Sequence, residues 1–444
     1  MTPALSLTIH RGARQIGGVA AEISCGDERV IIDLGANLPG TESPISDDEL
    51  VDRVFDGRPC SAVLFTHYHG DHTGLCRRIP EGTRTLIGPT ARQILRLVAE
   101  YTDREALPRI DQMETYRAGQ PIEGLTNMRI TPYYVDHSAL DAYMLLIEAA
   151  GKRTLFTGDF RAHGVMSEHD RLWRMLDKYI PKGIDLLVTE GTMLSRIDEA
   201  RADPIRTERE LEERARDIFA RHKYNIVLVS STNLDSVMGF WRATPNDKLF
   251  ICDIYQARVM LTAMEAEPQY RPESRRYICL TGLNEKNRSL IPGLIEQGKP
   301  FDVFFRLFGR KPGQISPEER RRRGFVLLAR KNRAPKRPSS FERIRDELHN
   351  EVHLVYSMWT GYLRGPHADP DILRFVGDLD PEILHTSGHA YIEDIARLIS
   401  TVNPRLIVPM HTERAEEFAS LEPFAPWSGC VRALQDGETL EITV

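Results

Sequence analysis

The feature that most constrains this chain is a short apolar strand that ends in a crowd of metal-binding side chains. Ser61 to Phe65 reads as a compact strand and runs straight into Thr66-His67-Tyr68-His69-Gly70-Asp71-His72-Thr73-Gly74. In an extended segment residues two apart point the same way, so His67 and His69 can reach one metal. Gly70 lets the chain turn, and Asp71 and His72 can then project together from the first turn of a helix toward a neighbouring second metal. Imidazole and carboxylate both suit zinc, and three protein ligands leave a position open for water. Only 14 histidines occur in 444 residues, so four ligand-type side chains in six positions at a strand mouth separate this loop from an ordinary polar surface loop.

The segments around it read as short strands and turns. Ala20 to Ser24 and Arg29 to Asp33 form a hairpin around Gly26 and Asp27, and Tyr143 to Glu148 and Arg153 to Phe156 form another around Gly151. Thr90 to Glu100 carries Ile94, Leu95, Leu97 and Val98 on one helical side after the boundary residue Pro89. Asp185 to Val188 is a further strand, ending at Glu190-Gly191-Thr192. Three more ligand candidates follow strands: His137 in Val135-Asp136-His137-Ser138, Asp159 in Thr157-Gly158-Asp159-Phe160, and His411 after Leu406 to Val408. A carboxylate can bridge two cations through its separate oxygens, which makes Asp159 the natural shared ligand.

At about residue 195 the pattern changes. Thr207 and Glu210 form a capping-box signature ahead of a helix, Ile226 to Val229 is a strand, and Asp253 to Glu265 a helix, the alternation of a parallel sheet. From Arg306 to Arg345 fourteen Lys or Arg face three acidic residues, including the block Arg320 to Arg323. Those guanidiniums suit either a phosphate backbone or an exposed charged linker. Phe304, Phe305, Phe308 and Phe325 fit burial better than base stacking, and Met358 to Tyr362 reads as a loop after a Val352 to Tyr356 strand. The chain then returns to strand-loop-helix units: Glu382 to Leu384, then Ser387-Gly388-His389-Ala390 opening a helix over Tyr391 to Ile399. Leu440 to Val444 is the expected final strand.

A net charge of -6 makes no bulk electrostatic case for polyanion binding, so local patches must supply one. The cysteines Cys25, Cys60, Cys76, Cys252, Cys279 and Cys430 show no paired spacing, which fits a reduced cytoplasm. With neither an 18-residue apolar run nor a signal-peptide pattern, the expectation is a soluble cytoplasmic protein with no membrane partner.

His67-Tyr68-His69-Gly70-Asp71-His72 with His137, Asp159 and His411 resembles the ligand set of the metallo-β-lactamase superfamily. Glu190, Ser387-Gly388-His389-Ala390 and Pro409-Met410-His411 resemble, in order, three further motifs of its β-CASP group, which includes ribonuclease J-like RNA-processing nucleases. Gly17-Gly18-Val19, Glu22 and Ile31-Ile32-Asp33-Leu34-Gly35 are similar to the start of such chains. The resemblance implies an α/β fold: a metallo-β-lactamase αββα sandwich with an inserted α/β β-CASP domain. The expected spans are 1-194 and 365-444 for the sandwich and 195-364 for the insertion, with substrate entering between them.

It also implies a zinc-dependent ribonuclease with two Zn2+ per chain, one held by His67, His69 and His137, the other by Asp71, His72 and His411, with Asp159 bridging. The substrate is single-stranded RNA, cut 5′-to-3′ from an end with endonuclease activity alongside, and a homodimer is left open. Asp71, Glu190 and His389 are the catalytic candidates, His389 contacting phosphate or protonating the leaving oxygen and Glu190 orienting it. Thr232, Asn233, Ser387, Gly388 and His389 are the substrate-binding candidates. Asp33 and Asp136 read as turn or supporting residues rather than ligands.

Two departures bear on mode. Where ribonuclease J-like chains place a basic pair after Ser-Asn-Ile, this chain has Thr232-Asn233-Leu234-Asp235-Ser236, which works against a 5′-phosphate pocket. The chain also ends about 30 residues after His411, so the additional C-terminal domain of a ribonuclease J is not expected. The alternatives are a DNA nuclease or a small-molecule phosphodiester or thioester hydrolase on the same metal core, and a non-catalytic RNA-processing scaffold.

Overall fold

Strands β1 (Leu5–Arg11), β2 (Ala20–Cys25), β3 (Glu28–Ile32), β4 (Ala62–Leu64), β5 (Thr85–Ile87), β6 (Glu114–Thr115), β7 (Met128–Val135), β8 (Ala142–Ala149), β9 (Lys152–Phe156) and β10 (Leu186–Glu190) open the computed structural model. Strands β11 (Tyr224–Val229), β12 (Leu249–Asp253), β13 (Arg276–Thr281), β14 (Val303–Leu307), β15 (Phe325–Ala329), β16 (Val352–Ser357) and β17 (Glu382–Ile383) follow, and β18 (Leu406–Met410) and β19 (Thr439–Glu441) complete it. The structure describes residues 4–41, 43–202, 204–308, 315–331, 338–348 and 351–443.

The chain divides into two compact units, residues 1–203 with 388–444, and residues 204–387. In the first, one sheet has the order β19-β1-β2-β3-β4-β5-β6 and the other β18-β10-β9-β8-β7. Leu7, Ile9, Val30 and Leu64 of one sheet share a core with Leu145, Ile147, Phe156, Val188 and Val408 of the other. The second sheet turns Met144, Leu146 and Leu155 to its far side, against Leu172 and Leu176 of helix Arg171–Tyr179 and Ile395 and Leu398 of helix Ile392–Val402. Burial on both faces explains why β8 reads as an almost unbroken apolar run. Each fully buried Leu, Ile or Phe contributes about 1.5–3 kcal/mol. Helices Asp47–Val54 and Pro89–Thr102 complete the αββα layering.

The expected hairpins form: β2 pairs antiparallel with β3, and β8 with β9. The last strand is β19, earlier than the expected 440–444, and Val444 lies outside the described residues.

The second unit is a parallel sheet of order β14-β13-β12-β15-β11-β16-β17. Helix Glu208–Arg221 starts at the capping box read from sequence: Thr207 Oγ1 accepts from Glu210 N at 3.1 Å, and Glu210 Oε2 from Thr207 N at 3.0 Å. Its boundaries differ from those expected. Helix Ile197–Ala202 stays with the first unit, while 365–387 join the second. The reason at the later boundary is local: Val355 pairs with Glu382 across β16 and β17, and Ile372 and Phe375 enter the second unit's core.

Part of the basic stretch is paired inside this unit. Arg306 and Arg323 both bind Glu319, Arg330 binds Asp253, and Lys331 binds Asp369. Arg310, Lys311, Arg333, Lys336 and Arg337 lie outside the described residues. Phe308 and Phe325 are buried as expected, whereas Phe304 and Phe305 are only half-buried. Met358 to Tyr362 follows β16 as a loop with a short turn over Thr360–Leu363. No helix among the described residues is long and apolar enough to cross a membrane.

Candidate metal centre

The ligand loop leaves β4 as the sequence suggests. His69 caps a single helical turn, Gly70–Thr73, which carries Asp71 and His72. Gly35 makes room for it, since a Cβ there would stand 1.6 Å from the Asp71 carbonyl oxygen. His137 follows β7, Asp159 follows β9, and His411 follows β18 with a left-handed φ of 52°. All of these residues belong to the first unit.

Donor atoms of His67, His69 and His137 lie within 4.8 Å of one another, as do those of Asp71, His72 and His411 and those of His67, His72 and Asp159. Asp159 stands between the sets. Its Oδ2 is 3.1 Å from His72 Nε2 and 3.9 Å from both His67 Nε2 and His137 Nε2, and its Oδ1 is 3.9 Å from His411 Nδ1. His72 and His411, separated by the whole second unit in sequence, have ring centroids 5.3 Å apart.

The surroundings fix which nitrogen each histidine turns inward. Asp33 takes Thr66 N–H at 2.7 Å and Thr66 Oγ1–H at 2.8 Å, and it also accepts His72 Nδ1–H at 2.8 Å. With its proton given to Asp33, Thr66 Oγ1 accepts from His67 Nδ1 at 3.1 Å. His137 Nδ1 donates to the Gly388 carbonyl at 2.5 Å, and His411 Nδ1 lies 2.7 Å from Thr192 Oγ1. Four rings thus hold Nδ1 to these partners and turn Nε2 inward, the arrangement by which partners behind a histidine orient it toward a metal.

Nε2 of both His67 and His72 is buried with no hydrogen bond, and His137 Nε2 faces His69 Nδ1 at 3.2 Å. Buried ring nitrogens with no hydrogen bond call for a cation. Charge says the same. Asp33, Asp71 and Asp159 surround His72, and they raise its pKa well above the ordinary value although burial pulls the other way. Burial lowers His67 and His137 far below that value and takes His69 down to about 4, so these rings are neutral donors. Asp159 stays ionised against its burial because His411 and His72 adjoin it. Neutral imidazoles and ionised carboxylates are the donor set a divalent zinc-type ion takes, and the residues present fit one.

Glu190 ends β10, buried, with Oε1 accepting from Phe160 N at 2.9 Å and Oε2 at 3.0 Å from His389 Nδ1. His389 Nδ1 is also 3.7 Å from Asp159 Oδ2. Burial lowers the His389 pKa, but Glu190 and Asp159 outweigh it and the net shift is upward. The sequence placed His389 at a helix start, but the helix begins at Ile392 with Tyr391 as cap, so His389 lies in the bend before it. Gly388 is needed in that bend because a Cβ would meet Ser138 Oγ at 2.6 Å.

Asp33 is a supporting residue, as read, and Asp136 binds Arg161 Nε at 3.0 Å and Ser167 N at 2.8 Å. Thr66 and Thr192 were missed. Their only sequence signal is a hydroxyl beside a ligand or an acidic motif, which is too common to single out. Thr232, Asn233 and Ser387 belong to the second unit, with Asn233 at the cap of helix Leu234–Ala243. Asp235 and Ser236, which stand in place of a basic pair, are buried: Asp235 accepts from Tyr270 at 2.5 Å and Ser236 donates to Glu208 at 2.9 Å.

Comparison with known proteins bears on this geometry. Residues 23–199 match the metallo-β-lactamase superfamily, and residues 371–421 match the Zn-dependent metallo-hydrolase RNA specificity domain. Residues 23–199 thus carry a metallo-β-lactamase domain, and its pairing with the second segment fits the β-CASP RNA-processing nuclease group. Endoribonuclease YSH1 of Gibberella zeae is 28% identical, over 41% of this chain and 23% of that protein. The protein of the same name from Mycosarcoma maydis is 29% identical, over 33% and 18%. The matched part of this chain therefore spans less than a quarter of the length of these relatives. A crystal structure of a protein of unknown function from Enterococcus faecalis V583 shares the fold, with a TM-score of 0.68 and 18% identity over 99% of this chain and 100% of that one.

Proposed function

We propose that this protein is a two-zinc ribonuclease that hydrolyses phosphodiester bonds within single-stranded RNA. The observation that carries the reading is Asp159, whose carboxylate joins a set of three histidines to the set Asp71, His72 and His411. His67, His69 and His137 would hold one ion, Asp71, His72 and His411 the other, and Asp159 both. When bound, the ions supply a water nucleophile near neutral pH and stabilise charge growing on the phosphoryl oxygens.

The chain's own residues supply the rest. Glu190 holds His389 through Nδ1 and favours its protonated form, so Nε2 is the atom that contacts the scissile phosphate and returns a proton to the leaving oxygen. Asp33, Thr66 and Thr192 keep the ligand rings in one tautomer.

RNA as substrate rests on the RNA specificity segment and on the endoribonuclease names of the relatives. Internal cleavage is favoured over cleavage from a 5′ end, because positions 235 and 236 offer a buried acid and a buried serine in place of cations for a terminal phosphate.

The test incubates the protein with 5′-labelled and 3′-labelled single-stranded RNA and DNA of one sequence, with metal content assayed in parallel. Internal RNA fragments with about two zinc ions per chain are expected. Release of mononucleotides alone would replace the mode, cleavage of DNA alone would replace the substrate, and metal-replete protein that cuts neither would leave the scaffold reading.

A further inference from the structure

A separate group of ligand-type side chains lies in the second unit and takes no part in the chemistry above. His222 ends helix Glu208–Arg221, His353 is on β16, and Glu382 begins β17. The parallel register gathers them: Asn225 pairs with His353, and Val355 with Glu382. The rings of His222 and His353 lie face to face, centroids 3.8 Å apart and planes 7° from parallel. His353 Nε2 is 2.9 Å from Glu382 Oε2, and one donor atom from each of the three residues lies within 4.8 Å of the others. All three are half-buried, so an ion can reach them from solvent.

We propose that His222, His353 and Glu382 form a further divalent metal site, which takes one zinc or similar late first-row ion per chain. Two imidazole nitrogens and one carboxylate oxygen suit that class, whereas magnesium and calcium require mostly oxygen. The donor atoms already lie within 4.8 Å of one another, and tilting the rings out of their parallel stack brings both nitrogens onto one ion with bonds of about 2.0–2.1 Å.

The charge state is prepared as well. Burial and the neighbouring His353 lower the His222 pKa, so this ring is an unprotonated donor at neutral pH. Arg214 holds Glu382 Oε1 at 3.1 Å and leaves Oε2 directed at the histidines. Binding replaces the His353–Glu382 hydrogen bond with two bonds to the ion, and a fourth position remains for water. The ion would tie the end of a helix to β16 and to the two-residue edge strand β17.

The test is zinc content of the full chain after equilibrium dialysis against free zinc. His353→Ala, His222→Gln and Glu382→Gln should each carry one zinc fewer than wild type, with RNA cleavage unchanged. Asp159→Ala should lose zinc from the other centre while adding His353→Ala to it removes one more. Three variants on three separate elements keep the result readable if one fails to fold. Wild-type zinc content in the folded His353→Ala and His222→Gln proteins would overturn the site. Because the readout is stoichiometry, that failure is distinct from failure of the ribonuclease reading.

Discussion

His411 Nε2 lies 3.3 Å from Asp71 Oδ2, across 340 residues of sequence. The contact forms because β18 pairs in parallel with β10, Val408 opposite Val188, so the last segment re-enters the sandwich after the second unit. A metal bound to Asp71, His72 and His411 would tie the two ends of that excursion together. His411→Ala should therefore lose metal and activity together, with the loss of one ion read by elemental analysis. Asp159→Ala should cost most of the second ion. Full metal content in either variant would remove that residue from the centre.

Asp33 touches no proposed ion, yet it accepts from Thr66 and His72 at once. Asp33→Asn should keep the fold and weaken metal affinity about 10- to 100-fold, the usual effect of losing a partner behind a ligand histidine. Competition with a metal-sensitive chelating dye measures this. Unchanged affinity would mean that packing alone orients His72.

The ligand loop, both hairpins and the capped helix at Thr207 were legible because each depends on neighbours in sequence. His67 to His72 carry their own turn, and Thr207 finds Glu210 three residues on. What the sequence hid depends on distant pairing. The unit boundary moved to Ser387 because Glu382 pairs with Val355, and His389 left its expected helix start because the helix is capped at Tyr391. Thr192 holds His411 across 219 residues, and His222 meets His353 through strand register. Pairing within the basic run was hidden in the same way: Arg306 and Arg323 meet Glu319, and Arg330 meets Asp253, only after folding.

Gly35→Ala should be severely destabilising, since the added Cβ falls 1.6 Å from backbone oxygen that cannot move without shifting Asp71. A loss of several kcal/mol in urea unfolding is expected, at the large end of what single substitutions produce. A change below about 1 kcal/mol would mean that the ligand loop yields easily.

His389→Ala should retain its metal and lose about 100-fold or more in cleavage rate, the usual scale for one contact to a transition-state phosphate. Glu190→Gln tests how His389 is tuned. Glu190 and Asp159 raise its pKa, and as a proton donor it loses activity as pH rises through that value. Removing one negative partner lowers the pKa, so the falling alkaline limb of kcat should move to lower pH. An unmoved limb would assign that ionisation to another group.

Metal-free protein should lose stability as pH falls, through its buried ligand histidines. His69 has a folded pKa of about 4, below its ordinary 6.5, because burial disfavours its charge. Unfolded chains therefore bind a proton that the folded state refuses, and the stability present above pH 6.5 drains between 6.5 and about 4. His67 and His137 are lowered in the same direction and add to the slope. His72 works oppositely. Its raised pKa gives stability that is present below 6.5 and lost as pH rises through the folded value. His72 and His389, both raised, change stability only above 6.5, so below it the three lowered histidines act unopposed, each worth at most about 1.4 kcal/mol per pH unit, and stability falls toward acid. Urea unfolding of the metal-free protein at several pH values measures it, and His69→Gln should flatten the slope. Bound zinc keeps protons off the same nitrogens, so the metal-loaded protein should be more stable across this range, most clearly near neutral pH.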